Sequence, residues 1–169
     1  MSIVTLNDRG VRSVTTFGSL NTGNMVFIKK LTASSSGTLS FVNGTSDVVL
    51  DSTYKEYVFT FKNIHPSASN PNFGFQVDTG TNTNYNQTIT STYFAGYQTE
   101  DGGTAALGYI TGQDQAQGTG FQTLADQIGN GNDESTAGTL HLFNPSNTTF
   151  VNILLEDFKV IMVVIILLI

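Results

Sequence analysis

The side chains able to do chemistry are few in this sequence. Glu100-Asp101 and Asp114 lie in a glycine-rich stretch, Glu100-Asp101-Gly102-Gly103 followed by Gly112-Gln113-Asp114. Two such carboxylates facing each other across a cleft would hydrolyse a glycosidic bond. Solvated loop acids account for the same residues. Glu100-Asp101 and Asp133-Glu134 offer oxygen ligands for calcium, but no loop of the D-x-[DN]-x-[DN]-G type surrounds either pair. His65 precedes Pro66 and reads as a loop histidine packed against a strand end. His141 alternates with Leu140 and Leu142, which turns it outward on a strand. Tyr54, Tyr85, Tyr93, Tyr97 and Tyr109 would stack on sugar rings, and half-buried strand tyrosines give the same pattern.

The signatures of common chemistries are missing. The sequence contains no phosphate-cradling G-x-x-x-x-G-K-[ST], no G-x-S-x-G and no H-E-x-x-H. Cysteine is absent, which removes thiolate metal sites and cysteine nucleophiles. The expectation is therefore a protein that is not an enzyme, with no catalytic, cofactor-binding or metal-binding residue assigned. Charge limits the partners as well. The formal net charge is −6, and residues 63–158 hold no Lys or Arg against nine Asp and Glu. Such a surface repels phosphate backbones, so nucleic acid is not an expected partner. The first 25 residues include Asp8, Arg9 and Arg12 and lack a continuous apolar stretch, so no secretory signal is expected. The sequons at Asn43, Asn86 and Asn147 are then expected to stay unmodified.

The elements that must position these residues are legible in the composition. Only 12% of the 169 residues are charged, about half the usual ~25%. Polarity is carried instead by 24 Thr, 15 Asn and 14 Ser, with 17 Gly. Long exposed helices rely on Glu, Lys, Arg and Ala, whereas this composition suits short strands joined by turns.

Three zones follow from the pattern. Residues 1–24 show no sustained periodicity and form an N-terminal arm or docking segment. Residues 25–151 read as successive strands: Met25 to Ala33, Thr38 to Val42 before the Asn43-Gly44 turn, and Tyr57-Phe59-Phe61 in strict alternation. Further strands are expected at Phe73 to Val77, Thr88 to Tyr97, Ala106 to Thr111 and Thr139 to Phe143. The expected core is Leu39, Phe41, Tyr57, Phe59, Phe61, Phe73, Phe75, Val77, Leu140 and Leu142. Phe121, Leu124 and Ile128 fall at helical spacing between Gly120 and Gly129, which predicts one short helix at about 120–128. The expected fold is all-β, an antiparallel β-sandwich of jelly-roll type with that helix at one end. Loops on such a scaffold carry recognition, and Asn70, Asn72, Asn82, Asn84, Tyr85, Asp101 and Thr104 are the expected contact residues.

Several runs resemble small virion-associated proteins of marine tailed bacteriophages. The most specific is LTASSSGTLSFVNGTSDVVLDSTYKEYVFTFKNIHPS, Leu31 to Ser67, supported by Val4 to Leu20, Phe121 to Asn130 and Gly138 to Val151. The resemblance implies a β-rich structural or fibre-type protein of the particle: a tail fibre, head fibre or decoration protein, made in the host cytoplasm and located in the virion. It brings no catalytic or ligand residue. Its expected partners are other virion proteins, through the N-terminal arm, and a host surface glycan. A homo-oligomer is expected, a trimer by fold analogy. The other readings are a carbohydrate-active enzyme on a jelly-roll scaffold and a protein anchored in a membrane through its C-terminal run.

Residues 152–169 depart from this style. The last ten, Val160 to Ile169, are all apolar, half the ~20 that a spanning helix needs. All five types in the run Val, Ile, Leu, Met and Phe share T at the second codon position, as an AT-rich gene read out of frame would give. Starting from the third base of the Val151 codon permits a peptide such as KHFIGRFQSYHG, which is polar and aromatic like the continuation the resemblance implies. The expectation is a frameshift product, with the last strands of the encoded fold altered and a tail inclined to pair as a strand.

Overall fold

A computed structural model describes residues 25–80, 84–99, 101–147 and 152–162. The chain divides into two compact units, Met1–Val49 and Leu50–Ile169. The expected arm at 1–24 lies outside the described residues.

In the first unit, residues 25–49 form turns and extended chain without a strand. The strands expected at Met25 to Ala33 and at Thr38 to Val42 are therefore not formed. Alternation alone does not make a strand, because the backbone needs a ladder partner for its N–H and C=O groups. Leu39, expected in the core, is 47% exposed, and Phe41 is half-buried. The Asn43-Gly44 turn is present: Thr45 N–H donates to Val42 O at 3.1 Å, and Gly44 takes a φ of +76° that suits glycine. Val48 closes this turn by donating to Thr45 O, and its side chain is buried.

The second unit holds nine strands and, among the described residues, no helix. They are β1 (Glu56–Ile64), β2 (Phe73–Phe75), β3 (Ile89–Thr90), β4 (Phe94–Gln98), β5 (Ala105–Tyr109), β6 (Ala116–Gly118), β7 (Gln122–Ala125), β8 (Glu134–Phe143) and β9 (Asn152–Met162). All pairings are antiparallel. One sheet has three strands in the order β1-β8-β9, and β2-β7, β3-β6 and β4-β5 form two-stranded sheets.

The alternation of Tyr57, Phe59 and Phe61 produces what it should. These residues pair with Leu142, Leu140 and Gly138 of β8 and share one face with them. Tyr57, Leu140 and Leu142 are buried, whereas Phe59 and Phe61 are half-buried. Phe61 meets Phe73 of β2 edge to face, ring centroids 5.0 Å apart, which joins two sheets. Phe73, Phe75 and Val77 are half-buried too, because sheets this small leave much of their perimeter uncovered. The β1–β8 register shifts between Phe61 and Ile64, where Asn63 adopts φ +53°, a left-handed conformation that Asn tolerates.

The helix expected at 120–128 is a strand. Gln122, Thr123, Leu124 and Ala125 are all buried in β7, and β7 pairs with β2. Phe121, assigned to the helix's inner face, is 56% exposed. An isolated two-turn helix is marginal. Here the polar side chains of the run find partners in neighbouring strands, and Ile128 N–H donates to Pro71 O at 3.1 Å. The strand expected from Thr88 to Tyr97 is split into β3 and β4, since Ser91 between them is drawn into side-chain hydrogen bonds.

The tail segment Asn152 to Met162 is β9 and runs along β8, with Leu140 opposite Leu155 and Leu142 opposite Ile153. Residues 163–169 lie outside the described residues. No helix among the described residues is long and apolar enough to cross a membrane.

Candidate functional site

The expected contact residues fall in three loops of the second unit. Asn70 and Asn72 belong to the first and fasten it. Asn70, at φ +65°, donates its N–H to Ile128 O at 2.9 Å. Asn72 Oδ1 accepts from Gln127 N–H at 3.2 Å, and its Nδ2 donates to Gln113 Oε1 at 3.4 Å. These two residues hold the chain entering β2 against the chain leaving β7.

Asp101 and Thr104 make the turn between β4 and β5. Asp101 Oδ1 accepts from Thr99 Oγ1 at 2.7 Å and from Gly103 N–H at 2.8 Å. Thr104 donates its N–H to Thr99 Oγ1 at 2.9 Å, and its carbonyl accepts from Thr99 N–H at 2.8 Å. The side-chain bond from Thr99 and then the Gly103 N–H hold the Asp101 carboxyl below its usual range.

Asn84 and Tyr85 belong to the third loop, and Asn82 lies outside the described residues. Asp78 organises this loop. Its carboxylate accepts from Tyr85 N–H at 2.9 Å, from Thr79 N–H at 2.8 Å and from Gln87 Nε2 at 3.4 Å. The Tyr85 N–H is the main reason its pKa is lowered. Beside the loop lies a cleft of about 460 Å³ lined by Thr79, Gly80, Gln87, Pro145, Ser146 and Asn147. The lining carries hydroxyl and amide groups and no charge, a chemistry suited to a neutral hydroxylated ligand. Pro145 to Asn147 were not among the expected contacts. The signal was present as the turn sequence Asn144-Pro145-Ser146-Asn147, where Asn147 N–H donates to Asn144 O at 2.9 Å.

A polar network underlies these loops. Gln122 is almost fully buried; its Oε1 accepts from Ser91 Oγ, and its Nε2 donates to Gln113 O at 3.1 Å. Thr123 Oγ1 donates to Gln113 Oε1 at 2.8 Å, and Gln115 N–H donates to Ser91 Oγ at 2.9 Å. Among the described residues, no buried side-chain polar atom lacks a partner. A fully satisfied network of this kind rigidifies a scaffold that has few large apolar groups.

The remaining candidates are dispersed. His65 Nε2 lies 2.9 Å from Gly131 O and the residue is exposed. His141 Nδ1 is 2.5 Å from Glu56 Oε1 on the face of the three-stranded sheet opposite Leu140 and Leu142. Tyr109 donates to Asp114, and Tyr93 lies 3.3 Å from Asp126 Oδ1. Among the described residues, no group of three His, Cys, Asp or Glu could hold a metal ion. Asp51, Asp78 and Asp101 each cap local loop N–H groups and have lowered pKa values. A general acid working near neutral pH needs the opposite shift.

No protein-family model, curated protein or solved structure matches the chain.

Proposed function

We infer that this protein is a non-enzymatic structural or adhesion component of a phage particle, presenting its loops to neutral host surface glycans. The observation that carries the reading is the use of its carboxylates. Asp51, Asp78 and Asp101 are spent on capping loop N–H groups, and the uncharged cleft beside Asp78 is lined by amides and hydroxyls. That arrangement holds loops in shape and offers hydrogen bonds to a saccharide, with little to offer proton transfer. The virion assignment rests on the resemblance of Leu31 to Ser67 and its supporting runs. The jelly-roll topology belongs to the same proposal; the antiparallel all-β framework is its observed part.

Mass spectrometry of purified particles, coupled to an assay for polysaccharide turnover, tests this reading. The expected result is the protein present in the particle and no turnover. Turnover abolished by a single carboxylate substitution, at Asp101 or Asp114 for example, would establish the enzyme instead.

A further inference from the structure

The β4–β5 ribbon leaves a continuous apolar face in solvent. In its register Phe94 opposes Tyr109, Gly96 opposes Leu107 and Gln98 opposes Ala105, so these six residues share one side. Phe94 is 68% exposed, Leu107 85% and Tyr109 47%. The rings of Phe94 and Tyr109 lie 5.5 Å apart, and the Tyr109 hydroxyl is turned toward Asp114 of its own chain, leaving an apolar ring surface outward. Among the described residues neither edge of the ribbon is joined by a third strand. A lone two-stranded ribbon is marginal in water, and this one has little cover on its large side chains.

We propose that the Phe94–Leu107–Tyr109 face of the β4–β5 ribbon docks a second copy of this chain, face to face about a two-fold axis. Charge selects this occupant. The strands Phe94–Gln98 and Ala105–Tyr109 contain no charged residue, in a chain of net charge −6 with no Lys or Arg between residues 63 and 158. Two copies of such a chain repel over most of their surface and can meet most easily on an uncharged patch. Geometry agrees. Gly96 and Leu107 are the middle pair of the five-pair ladder, so an axis through them places each copy's ribbon symmetrically on the other. The aliphatic Leu107 at the centre of the face suits a protein surface better than a sugar.

The area sets the strength. At ~150–250 Å² for a large side chain, the three exposed groups leave roughly 300–400 Å² open, so a pair of faces removes about 600–800 Å². That is below the ~1,200–2,000 Å² of standard interfaces, which predicts a weak, reversible dimer in place of the trimer expected from fold analogy. The proposal is independent of the virion reading.

Sedimentation velocity of the full chain from about 1 to 200 µM tests it. A monomer–dimer equilibrium is expected, weakened at least tenfold by Leu107→Asp and left unchanged by Phe27→Asp, an equally exposed apolar site in the first unit. Because the chain has no cysteine, Leu107→Cys gives a second readout: mild oxidation should link it into a disulfide dimer, and Phe27→Cys should stay monomeric. A wild-type chain that is monomeric throughout, a dimer indifferent to Leu107→Asp, or equal cross-linking at both positions would overturn the proposal.

Discussion

The Tyr57 hydroxyl clasps the backbone of Asp51: it donates to the Asp51 carbonyl at 3.0 Å and accepts from the Asp51 N–H at 3.1 Å. Tyr57 is buried at the start of β1, and its ring meets Tyr54 edge to face at 5.7 Å between centroids. One phenol therefore satisfies two backbone groups and ties the Asp51–Thr53 turn to the three-stranded sheet. Tyr57→Phe keeps the ring and removes both bonds, so a loss of about 1–3 kcal/mol is expected in urea unfolding. Leu140→Ala, on the same buried face, should cost ~2–5 kcal/mol.

Gly74 is required by contact rather than by conformation. A Cβ added there would lie 2.6 Å from the backbone oxygen of Gln122 in the paired strand. Neither backbone can retreat without breaking the β2–β7 ladder, so Gly74→Ala should destabilise by about 1–3 kcal/mol. Hydrogen exchange should show the loss concentrated in the amides of β7.

The alternation at Tyr57, Phe59 and Phe61 was legible because an antiparallel strand with one covered face writes a period of two into its sequence. Leu140 and Leu142 show the same rule. Leu124 does not, since β7 is buried at all four positions and a strand covered on both sides has no period to display. Gln122 and Thr123 then make the stretch look solvent-facing, although their partners Ser91 and Gln113 complete a buried network. The contact loops illustrate the same limit. Asn70 and Asn72 have turn chemistry in any sequence, but their bonds to Ile128 and Gln127 span more than fifty residues and leave no local trace.

Alkaline pH should loosen the region around Tyr93. Burial, and then the nearby Asp126 carboxylate, push its pKa from 10.0 up to about 12. The folded state thus favours the neutral phenol. This contribution is complete below pH 10 and is lost as pH rises from about 10 through about 12. Absorbance titration should show one late-ionising tyrosine, and Tyr93→Phe should remove it.

Acid should act on the loops. The carboxyls of Asp51, Asp78 and Asp101 are lowered from 3.8, so their capping is complete above that value and is lost as pH falls through the depressed values. Asp78→Ala should free the Thr79–Gln87 loop at neutral pH. Limited proteolysis should then cut within it while the circular-dichroism spectrum stays β-type.

The tail from Val160 to Ile169 has no charge or Pro to oppose aggregation. The chain as written should be poorly soluble, and reading codons 152–169 in the frame that yields a KHFIGRFQSYHG-like peptide should relieve this. Resequencing the gene decides the matter: an intact frame, with relatives sharing the apolar run, would show the tail to be native.

Adhesion through the loops is tested most directly by the binding of purified protein to the cell envelope of the bacterium the particles infect. Saturable binding is predicted, competed by neutral saccharides released from that envelope. A double substitution of the cleft, Gln87→Ala with Asn147→Ala, should weaken it at least tenfold without changing the circular-dichroism spectrum. Binding that survives the double substitution at full strength, or no binding to any envelope fraction, would contradict adhesion through this cleft.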